Sequence, residues 1–263
     1  MCFKRLKQTE TAINRKQAVK LLQKSLSLRI KQPDLLAGAD SYSYLYRLFN
    51  STKIMKITQL RIKDKTTALT TMEIETWIEK TQTETKAQPV SAFREVLRYS
   101  LPDSRCYEAD KLPKILPAAE FRRTEGGIQM KSYNGIVELT VGPLAGSSEI
   151  TLVKQLAWEQ PQTYCVFTGS SKRSVKIWVR FTRPDGSLPQ KREEAEIFHA
   201  HAYRLAVKCY QPQIPFNILS KEPSLEQYSR LSHDTELMYR PDSVPFYQSQ
   251  PMGMPEELSY REA

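Results

Sequence analysis

At 263 residues, 40% hydrophobic and 26% charged, the chain has the composition of an ordinary soluble protein and can bury a core in one large or two small domains. No apolar run approaches the about 20 residues of a membrane-spanning helix, and the opening MCFKRLKQTE lacks the apolar segment of a secretory signal. No membrane association is therefore expected, and the cytoplasm is the expected location. The net charge of +10 is unevenly spread: residues 1–54 hold eleven Lys or Arg against three Asp or Glu, leaving only +2 for the other 209. Such an arm can attract nucleic acid through phosphate neutralisation, or simply be solvated.

Cys2, Cys106, Cys165 and Cys209 lie far apart, with no CxxC and no Cys/His pairing. Neither a zinc site nor a disulfide framework is expected, and the thiols should stay reduced. No cofactor is expected. His199 and His201 are two apart on a predicted helix and point to different sides, which suits packing better than a shared metal.

In chain order, residues 1–54 are expected to be a basic, helical N-terminal extension, from the helical apolar spacing in VKLLQKSLSL, with SYSYLYRLF a stretch suited to packing or to binding a partner. Residues 55–247 form the main domain and 248–263 a tail. MKITQLRIK from Met55 predicts a strand at 56–62, followed by helices near Met72–Glu79 and Val90–Tyr99 with the polar linker KTQTETKAQP between them. Residues 101–131, interrupted by prolines and ending in Gly126-Gly127, predict mostly loop with one short strand. GIVELTV (135–141) alternates as a strand, 147–159 suits a helix, TYCVFT (163–168) is β-rich, and 174–182 alternates again. FTRPDGSLP holds a Pro-Asp-Gly turn. From Glu193 to Tyr210 apolar residues recur at helical spacing, and 214–219 and 229–233 are short extended segments suited to completing the sheet.

The order β-α-β-β-α-β is the ferredoxin-like, RRM-like unit, with both helices on one sheet face. The class is thus α+β, with an N-terminal α/β portion ahead of this unit. Alternation sends Val137, Leu139, Val141, Val175, Ile177, Val179 and Phe181 toward the helices. Ile136, Glu138, Thr140, Gly142, Lys176, Trp178 and Arg180 then share the opposite face, which in such folds is where ligands sit.

Four ordered segments, SYNGIVELTVGPL, FTGSSKRSVKIWVRFTRPDGSLPQ, EEAEIFHAHAYRLAVKCYQPQIPF and KEPSLEQYSRLSHDTELMYRPDSVPFY, resemble the VirE N-terminal-type domain of mobile-element proteins. That domain belongs to the archaeo-eukaryotic primase, or prim-pol, clan. The resemblance spans about Met55 to Tyr247 and implies a primase-like fold in which the RRM-like unit walls a nucleotide and template cleft. Relatives often carry a helicase-like ATPase segment after this domain, and the chain has no GxxxxGK[ST] motif. A separately encoded helicase-like ATPase is therefore a possible partner, with the arm and the tail as docking segments.

Active members of the clan hold two metals on an Asp-x-Asp pair at the end of the first RRM-like strand. The matching positions here are Thr140 and Gly142, neither a carboxylate, and a third acidic position falls on Gln227 or, one residue away, on Glu226. Glu138 and Glu226 are the catalytic candidates, with Mg or Mn implied only if activity survives; Glu222 is a further candidate for the third acidic position. The clan's Ser-x-His, whose histidine contacts nucleotide phosphates, maps onto Ser174-Val175-Lys176, and lysine still binds phosphate as a point charge.

The expectation is a catalytically degenerate primase-like module that binds nucleic acid, single-stranded DNA foremost, or a nucleotide. Ser170, Ser171, Lys172, Arg173, Ser174, Lys176, Arg180 and Arg230 are the candidate phosphate contacts, and Trp178 offers a base-stacking surface. The competing account covers Trp178 with the N-terminal half of the domain and pairs Arg230 with Glu226. An active nucleotidyltransferase using Glu138 and Glu226, and a docking scaffold, are the alternative functions.

Overall fold

The computed structural model describes residues 55–63, 66–83, 89–99 and 109–248, all within the second of the two units into which the chain divides after Thr52. The expectations for the N-terminal extension and for the tail beyond Gln248 lie outside the described residues.

β1 (Lys56–Lys63) and β2 (Thr66–Glu73) form an antiparallel ribbon running from Lys56 opposite Glu73 to Lys63 opposite Thr66. β2, TTALTTME, is not predicted from the sequence because its polar, Thr-rich pattern leaves described positions such as Ala68, Thr70 and Thr71 exposed. α1 (Ile74–Gln82) follows directly and buries Ile74, Trp77, Ile78 and Thr81 along one stripe. α2 (Pro89–Tyr99) buries Val90 and Phe93.

The stretch expected to be mostly loop contains three strands. β3 (Lys114–Leu116) pairs with β1, while β4 (Ala119–Thr124) and β5 (Gly127–Tyr133) close a hairpin whose turn includes Gly127 at φ +118°. The hairpin is exposed toward its tip and buried only near Phe121 and Tyr133, so neither strand shows a sustained apolar alternation.

β6 (Ile136–Val141), α3 (Ser147–Glu159), β7 (Thr163–Thr168), β8 (Val175–Thr182) and α4 (Arg192–Tyr210) appear where expected. β8 lies between β6 and β7, antiparallel to both, as the split βαβ arrangement requires. β10 (Met238–Tyr239) extends the outer edge of β7, and β11 (Phe246–Tyr247) joins the end of β8 in parallel. Of the segments expected to complete the sheet, 214–219 does so only through a Val141–Ile218 bridge and the hydrogen bonds from Leu219 N to Thr140 O and from Gly142 N to Asn217 O. The other, 229–233, belongs elsewhere: β9 (Ser229–Arg230) pairs with β3 and closes the four-stranded sheet β2-β1-β3-β9.

The helices α3 and α4 cover one face of the central sheet, burying Val137, Leu139, Val141, Val175, Ile177, Val179 and Phe181 against Val153, Ala157, Phe198, Ala202 and Ala206. Those are the inward residues that the alternation predicts. The opposite face is not open. Ile136, Cys165, Phe167 and Trp178 pack there against Ile57, Ile74, Trp77, Ile78 and Ile115 of the N-terminal strands and α1. Burial on both faces explains why β6 and β7 are buried at every position. No helix among the described residues is long and apolar enough to cross a membrane.

Candidate functional site

β7 and β8 are joined by a tight turn, Gly169–Ser174, closed by hydrogen bonds from Gly169 N to Ser174 O (2.8 Å) and from Lys172 N to Gly169 O (3.0 Å). Lys172 adopts a left-handed φ of +57° at its tip, and a Cβ on Gly169 would collide with the Ser174 hydroxyl. Lys172 and Arg173 are exposed, and neither forms an ion pair among the described residues. Arg94 of α2 fixes the turn from behind: Nε donates to Ser170 O (2.9 Å), and Nη2 to Gly169 O (3.4 Å) and His233 O (2.8 Å).

A cavity lies on either side of this turn. The larger, about 870 Å³, is lined by Arg94, Arg98, Thr140, Gly142, Lys172 and Arg173 among others. The smaller, about 460 Å³, is walled by Ser170, Lys176, Lys221, Gln227, Tyr228 and Arg230, with Glu222 and Glu226 also on its wall. Ser171 and Ser174 line both.

Between the cavities and the sheet sits a closed polar cluster. β6 and β8 set Glu138 opposite Trp178 and Thr140 opposite Lys176. Glu138, only 3% exposed, accepts from Lys176 Nζ (3.0 Å), Trp178 Nε1 (3.0 Å) and Ser229 Oγ (2.6 Å). Burial alone raises its carboxyl pKa, but the Lys176 charge, the Ser229 and Trp178 hydrogen bonds and the Lys221 charge outweigh it and hold the group below the usual carboxylate value. Lys176 also donates to Thr140 Oγ1 (2.8 Å), and Gln227 Nε2 to Glu138 O (3.3 Å).

Several expected roles are corrected by this geometry. Trp178 is no stacking surface: it is 0% exposed, stacked on Trp77 at 4.4 Å between ring centroids, and edge-on to Phe167. Glu138 is no vacant metal ligand, because both of its oxygens already serve internal donors. Glu226 pairs with Arg192 (2.8 Å) rather than facing Glu138. Arg230 does not pair with Glu226; its guanidinium donates to Asp110 Oδ1 (3.1 Å) and Ala109 O (3.0 Å). Arg180 lies beyond the buried Trp178 along β8, where it donates to Pro241 O (3.3 Å) and covers the Tyr164 ring.

The structure does bring Ser170, Ser171, Lys172, Arg173, Ser174 and Lys176 together, with Arg230 on the far wall of the smaller cavity. It adds two residues that no motif singles out. Lys221 is one cation in the loop KEPSLEQ, and Arg94 is one of two arginines on an amphipathic helix; nothing local distinguishes either from a solvated charge. Gly142 gains a meaning as well. Its φ is +153°, and a Cβ there would lie 2.8 Å from Arg173 O, so backbone closes the second position of the expected acid pair.

Residues 107–239 match the family model described as BT4734-like, N-terminal domain, which covers half of the chain, and the chain belongs to that family. The match contains the turn, the polar cluster and Lys221, and omits β1, β2, α1 and α2, which cover Trp178 and brace the turn. No curated protein and no solved structure matches the chain.

Proposed function

We propose that the protein is a catalytically degenerate primase-like module of the VirE N-terminal type, which binds nucleic acid, single-stranded DNA foremost, in the replication or transfer of a mobile element. The observation that carries this is the braced Gly169–Ser174 turn, which presents Lys172 and Arg173 between two cavities while Arg94 ties down its carbonyls. Exposed cations on a rigid turn meet phosphates without first ordering themselves, and counterion release drives the association. Binding without polymerisation is supported by the acid positions: Thr140 and Gln227 carry no charge, Gly142 has no room for a side chain, and Glu138 is neutralised by Lys176. A two-metal centre needs carboxylates free to face the ions.

Fluorescence anisotropy with a labelled oligo(dT) tests the binding. The wild-type protein should bind at low salt, and Lys172→Ala with Arg173→Ala should weaken it and flatten the salt dependence by about 0.7 in slope for each cation removed. An unchanged double variant, or no binding at low salt, refutes the proposal. Primer extension with Mg²⁺ or Mn²⁺ should stay at background; incorporation above it would restore the nucleotidyltransferase.

A further inference from the structure

The sheets differ in how their edges are closed. β9 and β10 are two residues long, and β9 ends in Arg230. The outer edge of β6 is taken by Asn217 and Leu219, which hydrogen-bond with Gly142 and Thr140. The β4–β5 hairpin carries Arg122, Arg123 and Lys131. Brevity, cover and charge are how natural sheets guard their edges, because an unguarded edge pairs with another chain. β2, at the end of the order β2-β1-β3-β9, has none of these guards. It is eight residues long, TTALTTME, without proline, lysine or arginine, and runs against β1 in unbroken register. Its one charge is Glu73, at its end. No described residue pairs with its outer side. One bond fixes where its backbone groups point. Ile74 N donates to Met55 O (3.1 Å), and the register that sets Lys56 opposite Glu73 makes Met55 and Ile74 a directly opposed, hydrogen-bonded pair. Such pairs alternate along an antiparallel ladder, so Met72, Thr70 and Ala68 also bond to β1. Thr67, Leu69, Thr71 and Glu73 therefore aim their N–H and C=O groups outward.

We propose that the β2 edge pairs antiparallel with the β2 edge of a second copy, about a two-fold axis at Thr70, joining two four-stranded sheets into one. A second copy is the occupant because the outward groups are self-complementary, as a two-fold interface requires. With Thr70 on the axis, Leu69 faces Thr71 of the second copy and Thr67 faces Glu73 of the second copy. Each of these pairs joins outward-aimed residues and exchanges two hydrogen bonds. This register alone matches all four outward residues of one strand with the four of the other. Moving the axis to Leu69 or Thr71 sends one outward residue past the end of the strand. No charge meets a like charge, since Glu73 lies opposite a threonine. Ala68, Thr70 and Thr71 are exposed, and threonines paired across strands stabilise a sheet. The pairing is independent of the nucleic-acid reading above.

Light scattering coupled to size exclusion of the full-length protein tests this. The mass should rise toward twice the 30.4 kDa of one chain between about 1 and 100 µM. Thr71→Pro removes an outward N–H, which an edge strand tolerates, and should raise the dimer dissociation constant about tenfold or more. Thr71→Lys sets two cations diagonally across the axis and should weaken the dimer severalfold, more at low salt than at high. Disulfide formation reads the register. Two copies of Thr70→Cys would meet with about 4.5 Å between Cα atoms, within disulfide reach. Two copies of Ala68→Cys would lie about 13 Å apart, beyond it. Under mild oxidation Thr70→Cys should give covalent dimer well above the background that the native cysteines set in the wild type, and Ala68→Cys should not. A monomer at every concentration, the result if residues 1–54 or another protein cover the edge instead, overturns the inference. So does a dimer that both Thr71→Pro and Thr71→Lys leave intact, or equal cross-linking of the two cysteine variants.

Discussion

Glu138 carries its charge into the sheet and is neutralised there, so its role is to hold Lys176, Trp178 and Ser229 in place. A second buried titratable residue, His199 of α4, has its Nδ1 3.1 Å from the Tyr133 hydroxyl and is 2% exposed. Burial lowers the His199 pKa to about 4, whereas the unfolded chain takes up the proton near 6.5. Between those values the unfolded state binds more protons, so stability is complete above pH 6.5 and falls as the pH drops toward 4. Up to about 3 kcal/mol is lost across that window. Glu138 and Asp234, both held below the ordinary carboxylate range, add their losses only at lower pH. The urea midpoint should therefore decline from pH 7 to 4.5 in the wild-type protein and much less in His199→Gln. Equal declines would show that His199 is not the sensor.

The end of β6 and the turn after β7 behave as one element. Leu144 N donates to Arg173 O (2.9 Å), and the same carbonyl blocks a Cβ at Gly142. Replacing the expected acid positions with aspartates should consequently fail to build a metal site. Thr140→Asp places a carboxylate beside Lys176 and Lys221, where it forms an ion pair. Gly142→Asp forces backbone apart at a φ that side chains rarely adopt, at a cost of about 1–3 kcal/mol. Thermal unfolding of the double variant with and without Mn²⁺ should give a lower Tm than wild type and no metal-dependent rise; a rise of several degrees with the metal would contradict this geometry.

Across the whole described unit, the 231–240 segment joins both layers around the central sheet. Asp234 N donates to Thr81 O at the end of α1, and Gln82 Nε2 to Leu237 O. Asp234 Oδ2 accepts from Thr168 N (2.7 Å) and from the buried Lys154 Nζ of α3 (3.0 Å). Asp234→Ala leaves that ammonium without its counter-charge and one sheet amide without an acceptor, for a loss of about 3–5 kcal/mol. Lys154→Met leaves Asp234 with its amide donors from Thr168 and Glu236 and should cost clearly less. Denaturant unfolding of the two variants checks the order, and a larger loss for Lys154→Met would reverse the roles assigned here.

Periodicity along the chain was enough to place β6, β7, β8, α3 and α4 and to divide β8 into Val175, Ile177, Val179 and Phe181 on one face and Lys176, Trp178 and Arg180 on the other. It was not enough to reveal β2 or the β4–β5 hairpin, whose largely exposed strands need no sustained apolar alternation. Alternation is set by local backbone geometry, and so a single strand encodes which way each side chain points. What lies over that face depends on residues far away in the chain, and only the tertiary structure placed Trp77 on Trp178. The charges divide in the same way. The sequence by itself determined that SSKRSVK is cationic, but the distribution of counter-ions followed from folding: Glu138 to Lys176 and Asp110 to Arg230. An ion pair is a matter of a few ångströms between groups distant in sequence, and that distance exists only once the sheets have closed.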